Sequence, residues 1–306
     1  MSKSFLVVGE ALTDRATRGE VVTETPGGSP LNVAIGIGRL GHEVVLASRV
    51  GPDSRGQAII EHAQGSGVAL IDQVAGLPRT SSASATIASD GSASYEFDLV
   101  WDVTPDMVPH QPFVHVHTGS IGATLEPGGT GVVDLVSEQR AAGASISYDP
   151  NARPSIMGEP GSVLGRVEHL VSLSHIVKAS DEDIAWLYPG RDQEDVLSSW
   201  LDAGASLVVL TRGAEGVLAR TKEHTVSHPT RASHVEDTIG AGDSFMAGLL
   251  VALQRRNLLG PDVQRLENIS VDELEAVINF GADCAAITVS RVGANPPTQA
   301  DLESRG

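Results

Sequence analysis

The residues best equipped for chemistry lie in Asp237-Thr-Ile-Gly240-Ala241-Gly242-Asp243-Ser-Phe-Met-Ala-Gly-Leu-Leu250. A glycine-rich turn runs directly into apolar residues at 245, 246, 249, 250 and 253, the spacing of a buried helix face. Gly240 and Gly242 permit backbone conformations that turn successive N–H groups toward one point. The first turn of the following helix adds free donors and the positive end of its dipole. The stretch therefore predicts an anion site made of backbone, with Asp243 at its rim. That carboxylate has two readings: a helix-capping acid, or a base that takes a proton from a hydroxyl attacking a phosphoryl group. General-base assistance of that kind is worth about 10²–10⁴ in rate.

Two other patterns have chemical spacing but a plainer reading. Gly36-Ile-Gly38-Arg-Leu-Gly41 is formally G-x-G-x-x-G, with Glu61 downstream. A dinucleotide fingerprint follows a strand and opens a helix; this segment closes a helix begun near Pro30, with Gly41 as its C-terminal cap. His115-Val-His117 has the spacing of a metal pair on one strand face, but no partner set stands out downstream, so it reads as the end of a strand. The G-x-x-x-x-G-K-[ST] phosphate loop does not occur in the sequence.

The elements that must position these residues alternate along the chain. Apolar runs predict strands at 5–8, 44–48, 113–118, 145–148, 176–179, 207–211 and 217–220. Helical stretches are expected at 30–40, 54–66, 129–142, 181–187, 193–203, 243–256 and 271–288. This alternation predicts an α/β fold with a mostly parallel central sheet flanked by helices. Residues 14–27 and 80–100 break the pattern with Thr, Ser and alternating apolar residues, and read as a small β-sheet apart from the main one or as ordinary surface hairpins. Ser89-Asp90-Gly91-Ser92 is the turn signal of a hairpin there.

Bulk properties narrow the partners. The 306 residues are 41% hydrophobic but only 4% aromatic, so the core must rest on aliphatic side chains. A net charge of −18 disfavours nucleic acid and anionic lipid as partners, and requires any phosphate site to concentrate its donors locally. Cys284 is the only cysteine, which fits a reducing compartment. Neither a signal-peptide core nor a run of roughly 20 apolar residues is present, so a cytoplasmic protein is expected.

The motif at 237–245 resembles the C-terminal signature of PfkB, ribokinase-like carbohydrate kinases. Gly27-Gly28-Ser-Pro-Leu-Asn32-Val-Ala-Ile-Gly-Ile-Gly-Arg-Leu-Gly41, followed by Arg49-Val-Gly51-Pro-Asp53, resembles the N-terminal signature of the same family. Val8-Gly-Glu-Ala-Leu-Thr-Asp14, Tyr148-Asp-Pro-Asn-Ala-Arg153, Thr211-Arg-Gly-Ala-Glu-Gly216 and Ser290-Arg-Val-Gly-Ala-Asn-Pro-Pro297 agree in order, so the resemblance covers essentially the whole chain. It implies one ribokinase-like domain over 1–306, with a β lid from about 14–27 and 80–100. It also implies an ATP-dependent sugar kinase, with Asp243 as base and the backbone of Gly240, Ala241, Gly242 and Asp243 as the anion hole.

The resemblance further places Asp14, Gly28 and Asn32 on sugar hydroxyls and Arg153 on substrate or phosphate. Thr211, Gly213 and Gly216 fall on the nucleotide side, and Ala282, within the small-residue stretch 279–286, makes room for adenine. Asp237, the Ile239 backbone and the turn at 291–293 resemble a monovalent-cation (K⁺) site. Where many members order Mg²⁺ through Asn-x-x-Glu, this chain has Ser180-Asp-Glu-Asp183, so Asp183, or Glu182 beside it, takes that place. Fructose is the expected acceptor, with 2-keto-3-deoxygluconate and ribose as alternatives; Tyr95, Phe97 and Trp101 are expected to shape the fit. A lid-mediated homodimer is implied, and a catalytically silent sugar- or nucleotide-binding regulator is the non-enzyme alternative.

Overall fold

The computed structural model describes residues 4–19, 21–71, 77–87, 93–109 and 111–304. Its strands are β1 (Phe5–Val8), β2 (Leu12–Arg18), β3 (Val21–Gly27), β4 (Val44–Ala47), β5 (Val68–Leu70), β6 (Ser82–Ile87) and β7 (Ala93–Asp98). They continue as β8 (His115–Gly119), β9 (Ser145–Asp149), β10 (Ile176–Ser180), β11 (Leu207–Thr211), β12 (Val217–Arg220) and β13 (Thr225–His228). Among the described residues nine of them form one sheet in the order β13-β12-β11-β10-β9-β8-β1-β4-β5. The pairings from β11 through β5 are parallel, and only β12 and β13 join antiparallel.

Side-chain alternation along the strands builds a core on each face. Phe5 and Val7 of β1 pack with the helices Ser29–Arg39, Ala241–Arg255 and Val271–Val289. Leu6 and Val8 face Gly128–Ala141, Pro160–Leu173 and Gln193–Asp202. The expected strands and helices are present within a residue or two at each end. The sequence reading did not anticipate helix Pro160–Leu173 or the short edge strands β5 and β13.

Strand order reverses about β1: successive strands are added outward to β4 and β5, and then from β8 onward on the other side. In open α/β sheets ligands bind at such a switch point, beyond the carboxyl ends of the strands. Glu10, Ser120, Arg153, Asp183 and Gly213 all follow such strand ends.

The second sheet has the order β3-β2-β6-β7. Its hairpins β2–β3 and β6–β7 are antiparallel, and β2 joins β6 in parallel. This is the small sheet expected from 14–27 and 80–100; the turn at 89–92 lies outside the described residues. Tyr95 and Phe97 stack on β7 with ring centroids 6.3 Å apart. Trp101 lies beyond the sheet, buried, with its indole N–H donating to the Gly122 carbonyl at 2.7 Å. It braces the root of the lid and lines a small cavity with Glu10 and Gly122.

Both decoy motifs are structural, although His115 and His117 open β8 rather than end a strand as expected. The 36–41 glycines close helix Ser29–Arg39, and Gly41 adopts φ 82° after its last turn. A Cβ on Gly36 would lie 2.5 Å from the Ala247 Cβ, so the missing side chain serves helix packing. His115 contacts the hydroxyls of Ser145 and Ser147 at 2.7 Å through its two ring nitrogens, and His117 Nδ1 contacts Ser147 at 2.8 Å. Burial drives both rings toward the neutral form, with His117 lowered to about 3 by desolvation and by nearby Lys178.

Candidate active site

The glycine-rich turn forms the start of helix Ala241–Arg255. Gly240 caps it in the left-handed conformation, φ 75°, which a β-carbon disfavours. An added Cβ there would also lie 2.7 Å from the Ala294 Cβ. Gly242 is not in the positive-φ region, so its need for glycine differs from that expected from sequence. A Cβ at Gly242 would lie 2.9 Å from the ammonium of Lys178, so what glycine offers there is a close approach rather than a special dihedral. The amides of Gly242 and Asp243, in the first turn, have no intrahelical carbonyl to meet and remain available to an anion.

Asp243 follows in that turn and is buried. Its Oδ1 accepts from Ser29 Oγ at 2.7 Å, and its Oδ2 accepts from Asn32 Nδ2 at 2.8 Å. Both donors come from the first turn of helix Ser29–Arg39, so the two signature motifs meet in space. Each bond to an ionised carboxylate is worth about 1.5–3 kcal/mol, enough to fix the orientation of Asp243. Asn32 thus touches Asp243 directly, and Ser29, which sequence reasoning passed over, does so as well.

The side of the cleft expected to take the sugar is assembled around Gly28. This residue has φ 112°, and a Cβ on it would lie 2.6 Å from the Glu10 carbonyl. Beside it, the Asp14 carboxylate covers Gly27, where a Cβ would meet Asp14 Oδ2 at 2.0 Å. Desolvation raises the Asp14 carboxyl above its ordinary value, and the charge of Arg153 opposes that rise. Arg153 is exposed and donates to the carbonyls of Asn151 and Ala152 at 3.1 and 3.0 Å. Glu10 lies deeper; its Oε2 accepts from the Gly122 amide at 2.8 Å, and burial lifts its carboxyl to about 7.

Under the cleft is a buried ion pair, Lys178 Nζ to Asp149 Oδ2, at 2.7 Å. Asp149 also accepts from the Asn151 amide at 3.2 Å, which ties the pair to the turn carrying Arg153. Burial acts to deprotonate the ammonium, but Asp149, Asp183 and Asp243 outweigh it and hold it charged. Asp183 Oδ2 accepts from the amide and hydroxyl of Ser180 at 2.8 and 2.7 Å, and Oδ1 accepts from the Ala152 amide at 2.6 Å. Asp183 is therefore the acid of a capping box and a tie to the Arg153 turn, while Glu182 stays exposed beside it.

On the opposite side, Gly213 and Gly216 have φ of 50° and 93° and bracket a single tight turn after β11. Thr211 Oγ1 donates to the Ala179 carbonyl at 3.3 Å, linking this turn to β10. Ala282 is half-buried on helix Val271–Val289, which packs tightly against helix Ala241–Arg255: a Cβ on Gly248 would lie 2.8 Å from Cys284 Sγ. Asp237 accepts from the Ile239 amide at 3.0 Å through one oxygen and from the Gly293 amide at 2.8 Å through the other. The two loops expected to hold a monovalent cation are thereby joined.

The sequence matches the pfkB family carbohydrate kinase profile over residues 5–301. The chain belongs to the pfkB family of carbohydrate kinases. Among pfkB relatives, a fructokinase from Rhizobium leguminosarum bv. trifolii is 34% identical over 268 residues, covering 83% of this chain and 81% of that protein. A fructokinase double mutant from Vibrio cholerae O395, solved with fructose, ADP and potassium ion, superposes with a TM-score of 0.85 at 25% identity, covering 99% of this chain and 97% of that one. An aminoimidazole riboside kinase from Salmonella enterica, with aminoimidazole riboside and an ATP analog bound, gives 0.82 at 25% identity over 99% of both chains. The pfkB signatures pointed to Asp243 and the glycine turn; Ser29, Glu10, Asp149 and Lys178 went unassigned. A charged residue inside the apolar run Ile176-Val-Lys178-Ala was the one available signal for the last.

Proposed function

We propose that the chain transfers the γ-phosphate of Mg·ATP to a primary hydroxyl of fructose, with Asp243 as general base. The observation that carries this reading is Asp243 itself. Its buried carboxylate stands in the first turn of a helix whose open amides can hold a phosphoryl group, and it faces the helix start that carries Asn32. Asp243 accepts the proton of the attacking hydroxyl while Ser29 and Asn32 hold its oxygens in place. The Gly242 and Asp243 amides and the helix dipole stabilise the equatorial oxygens of the group in transfer. Asp14, Gly28, Asn32 and Arg153 line the acceptor side, whereas Thr211, Gly213, Gly216 and Ala282 line the nucleotide side.

Fructose as acceptor is supported by the Rhizobium relative and by the sugar in the Vibrio structure. Magnesium supplies charge neutralisation on the phosphates when bound. The donor set fits an ion that keeps its waters: Asp183, with both oxygens engaged by protein donors, would hold it through water, and exposed Glu182 would offer a second carboxylate. The joined loops at 237–239 and 291–293 would hold K⁺, the ion in the Vibrio structure. The lid exposes Val21, Val22 and Tyr95, which suit a second copy of the chain; a monomeric mass in light scattering at micromolar concentration contradicts that pairing. No described helix is long and apolar enough to cross a membrane, and the lone buried Cys284 suits a reducing cytoplasm.

The test is ADP release with Mg·ATP across fructose, ribose, 2-keto-3-deoxygluconate and aminoimidazole riboside. The reading predicts the highest kcat/KM on fructose. Turnover confined to another acceptor replaces the substrate but keeps the kinase, and none on any acceptor favours a silent binding protein.

A further inference from the structure

On the kinase reading above, we infer that Lys178 is a positioning residue for phosphoryl transfer: the Lys178–Asp149 ion pair is a fixed dipole whose positive end lies against the back of the anion hole. Lys178 sits at the centre of β10, and Ile176, two residues earlier on the same face, packs in the core beneath helix Ala241–Arg255. Strand alternation therefore sends the Lys178 side chain toward that helix. It arrives at the first turn, because the volume a Cβ of Gly242 would occupy lies 2.9 Å from Nζ. Gly242 has no dihedral need to be glycine; what it provides is room for this ammonium.

The arrangement is costly unless it is used or fully compensated. Lys178 is 2% exposed and Asp149 0%, and charges so deep lose hydration that only a close partner restores. An apolar residue at 178 would fill the same strand position without that cost. The groups facing the ammonium are Asp149 from β9, Asp183 from helix Asp181–Leu187, Asp243 from helix Ala241–Arg255, and neutral His117 from β8. Three of these are carboxylates, placed next to the point where phosphoryl charge would gather in a chain of net charge −18. A fixed cation behind the open amides offsets that negative field where a surface lysine would be screened by water. The same pair links the Asn151 turn, and so Arg153, to the anion hole.

The test compares wild type with Lys178→Met and with Lys178→Met/Asp149→Asn. The double variant also removes the carboxylate that pairs with Lys178, while Asp183 and Asp243 keep their hydrogen-bond donors, so it decides the matter where the single variant fails to fold. Calorimetry measures affinity for Mg·ADP alone and for Mg·ADP with fluoroaluminate, a mimic of the phosphoryl group in transfer. Steady-state kinetics measures kcat and KM on the acceptor found in the panel. The double variant is expected to bind Mg·ADP about as wild type does. It should lose about 10²-fold in kcat and a similar factor in the extra affinity conferred by fluoroaluminate, with KM nearly unchanged. A folded double variant with wild-type kcat and wild-type fluoroaluminate affinity overturns the inference. Absence of any sugar turnover by wild type defeats the kinase reading alone, because the fluoroaluminate increment still reports on Lys178.

Discussion

Replacing Gly240 with alanine tests whether the hole depends on one backbone conformation. Gly240 has φ 75°, a region that costs an L-residue about 1–2 kcal/mol. The new methyl would also lie 2.7 Å from the Ala294 Cβ and 2.9 Å from its Cα. Because the second contact is with backbone, rotation of a side chain cannot relieve it, and overpacking of this kind adds about 1–3 kcal/mol. Together these predict about 2–5 kcal/mol of destabilisation and a melting temperature lower by on the order of 10 °C. Relief by moving the turn would displace the Gly242 and Asp243 amides by a fraction of an ångström or more, which costs about 10²-fold in kcat. Gly41→Ala is the matched control: its φ is 82°, but an added Cβ meets nothing within 4 Å. It should lose only the dihedral contribution and keep full activity. Thermal melts and fructose-dependent ADP release on both variants decide the matter. A Gly240→Ala enzyme as stable and as active as Gly41→Ala would refute the reasoning.

Two further outcomes follow from the same geometry. Ser29→Ala removes the 2.7 Å bond to Asp243 Oδ1 and should lower kcat by about tenfold with little change in the KM for ATP, read from initial rates. Glu10→Gln concerns pH and stability. Burial raises the folded carboxyl from 4.5 to about 7, so the folded state holds a proton that the unfolded chain releases above pH 4.5. Glu10 therefore costs no stability below about pH 4.5, costs progressively more as pH rises toward 7, and reaches about 3 kcal/mol above it. Glutamine still accepts from the Gly122 amide, so the variant should match wild type in urea melts near pH 4.5 and exceed it at pH 8; equal stability at both contradicts the assignment.

Much of the scaffold was legible because its signals are local. Strands such as Leu207–Thr211 and helices such as Asp181–Leu187 carry their periodicity and caps within their own residues. The lid was visible as two stretches without helical period, but the parallel joining of β2 to β6 was not, since it unites segments about 70 residues apart through no shared turn. At the site, the glycine turn and Asp243 were readable from local motif, whereas their supports were not. Ser29 looks like an ordinary helix-start residue until the chain folds it onto Asp243, 214 positions away. Gly242 looked like a dihedral glycine, and only the path of the Lys178 side chain across the sheet reveals the real constraint. Asp183 resembled a metal-ordering acid; two donors to its oxygens come from Ser180 in its own capping box, and the third, the Ala152 amide, comes from the Arg153 turn, which local sequence does not reveal.

The most direct test of the account is Asp243→Asn assayed for fructose-dependent ADP release. The amide oxygen can still accept from Asn32, and the amide nitrogen can donate to the Ser29 hydroxyl, so the fold and the hole should be retained. The account predicts an unchanged melting temperature, near-normal affinity for Mg·ADP, and a kcat lower by about 10²–10⁴. A well-folded Asp243→Asn enzyme that phosphorylates fructose at the wild-type rate would contradict it.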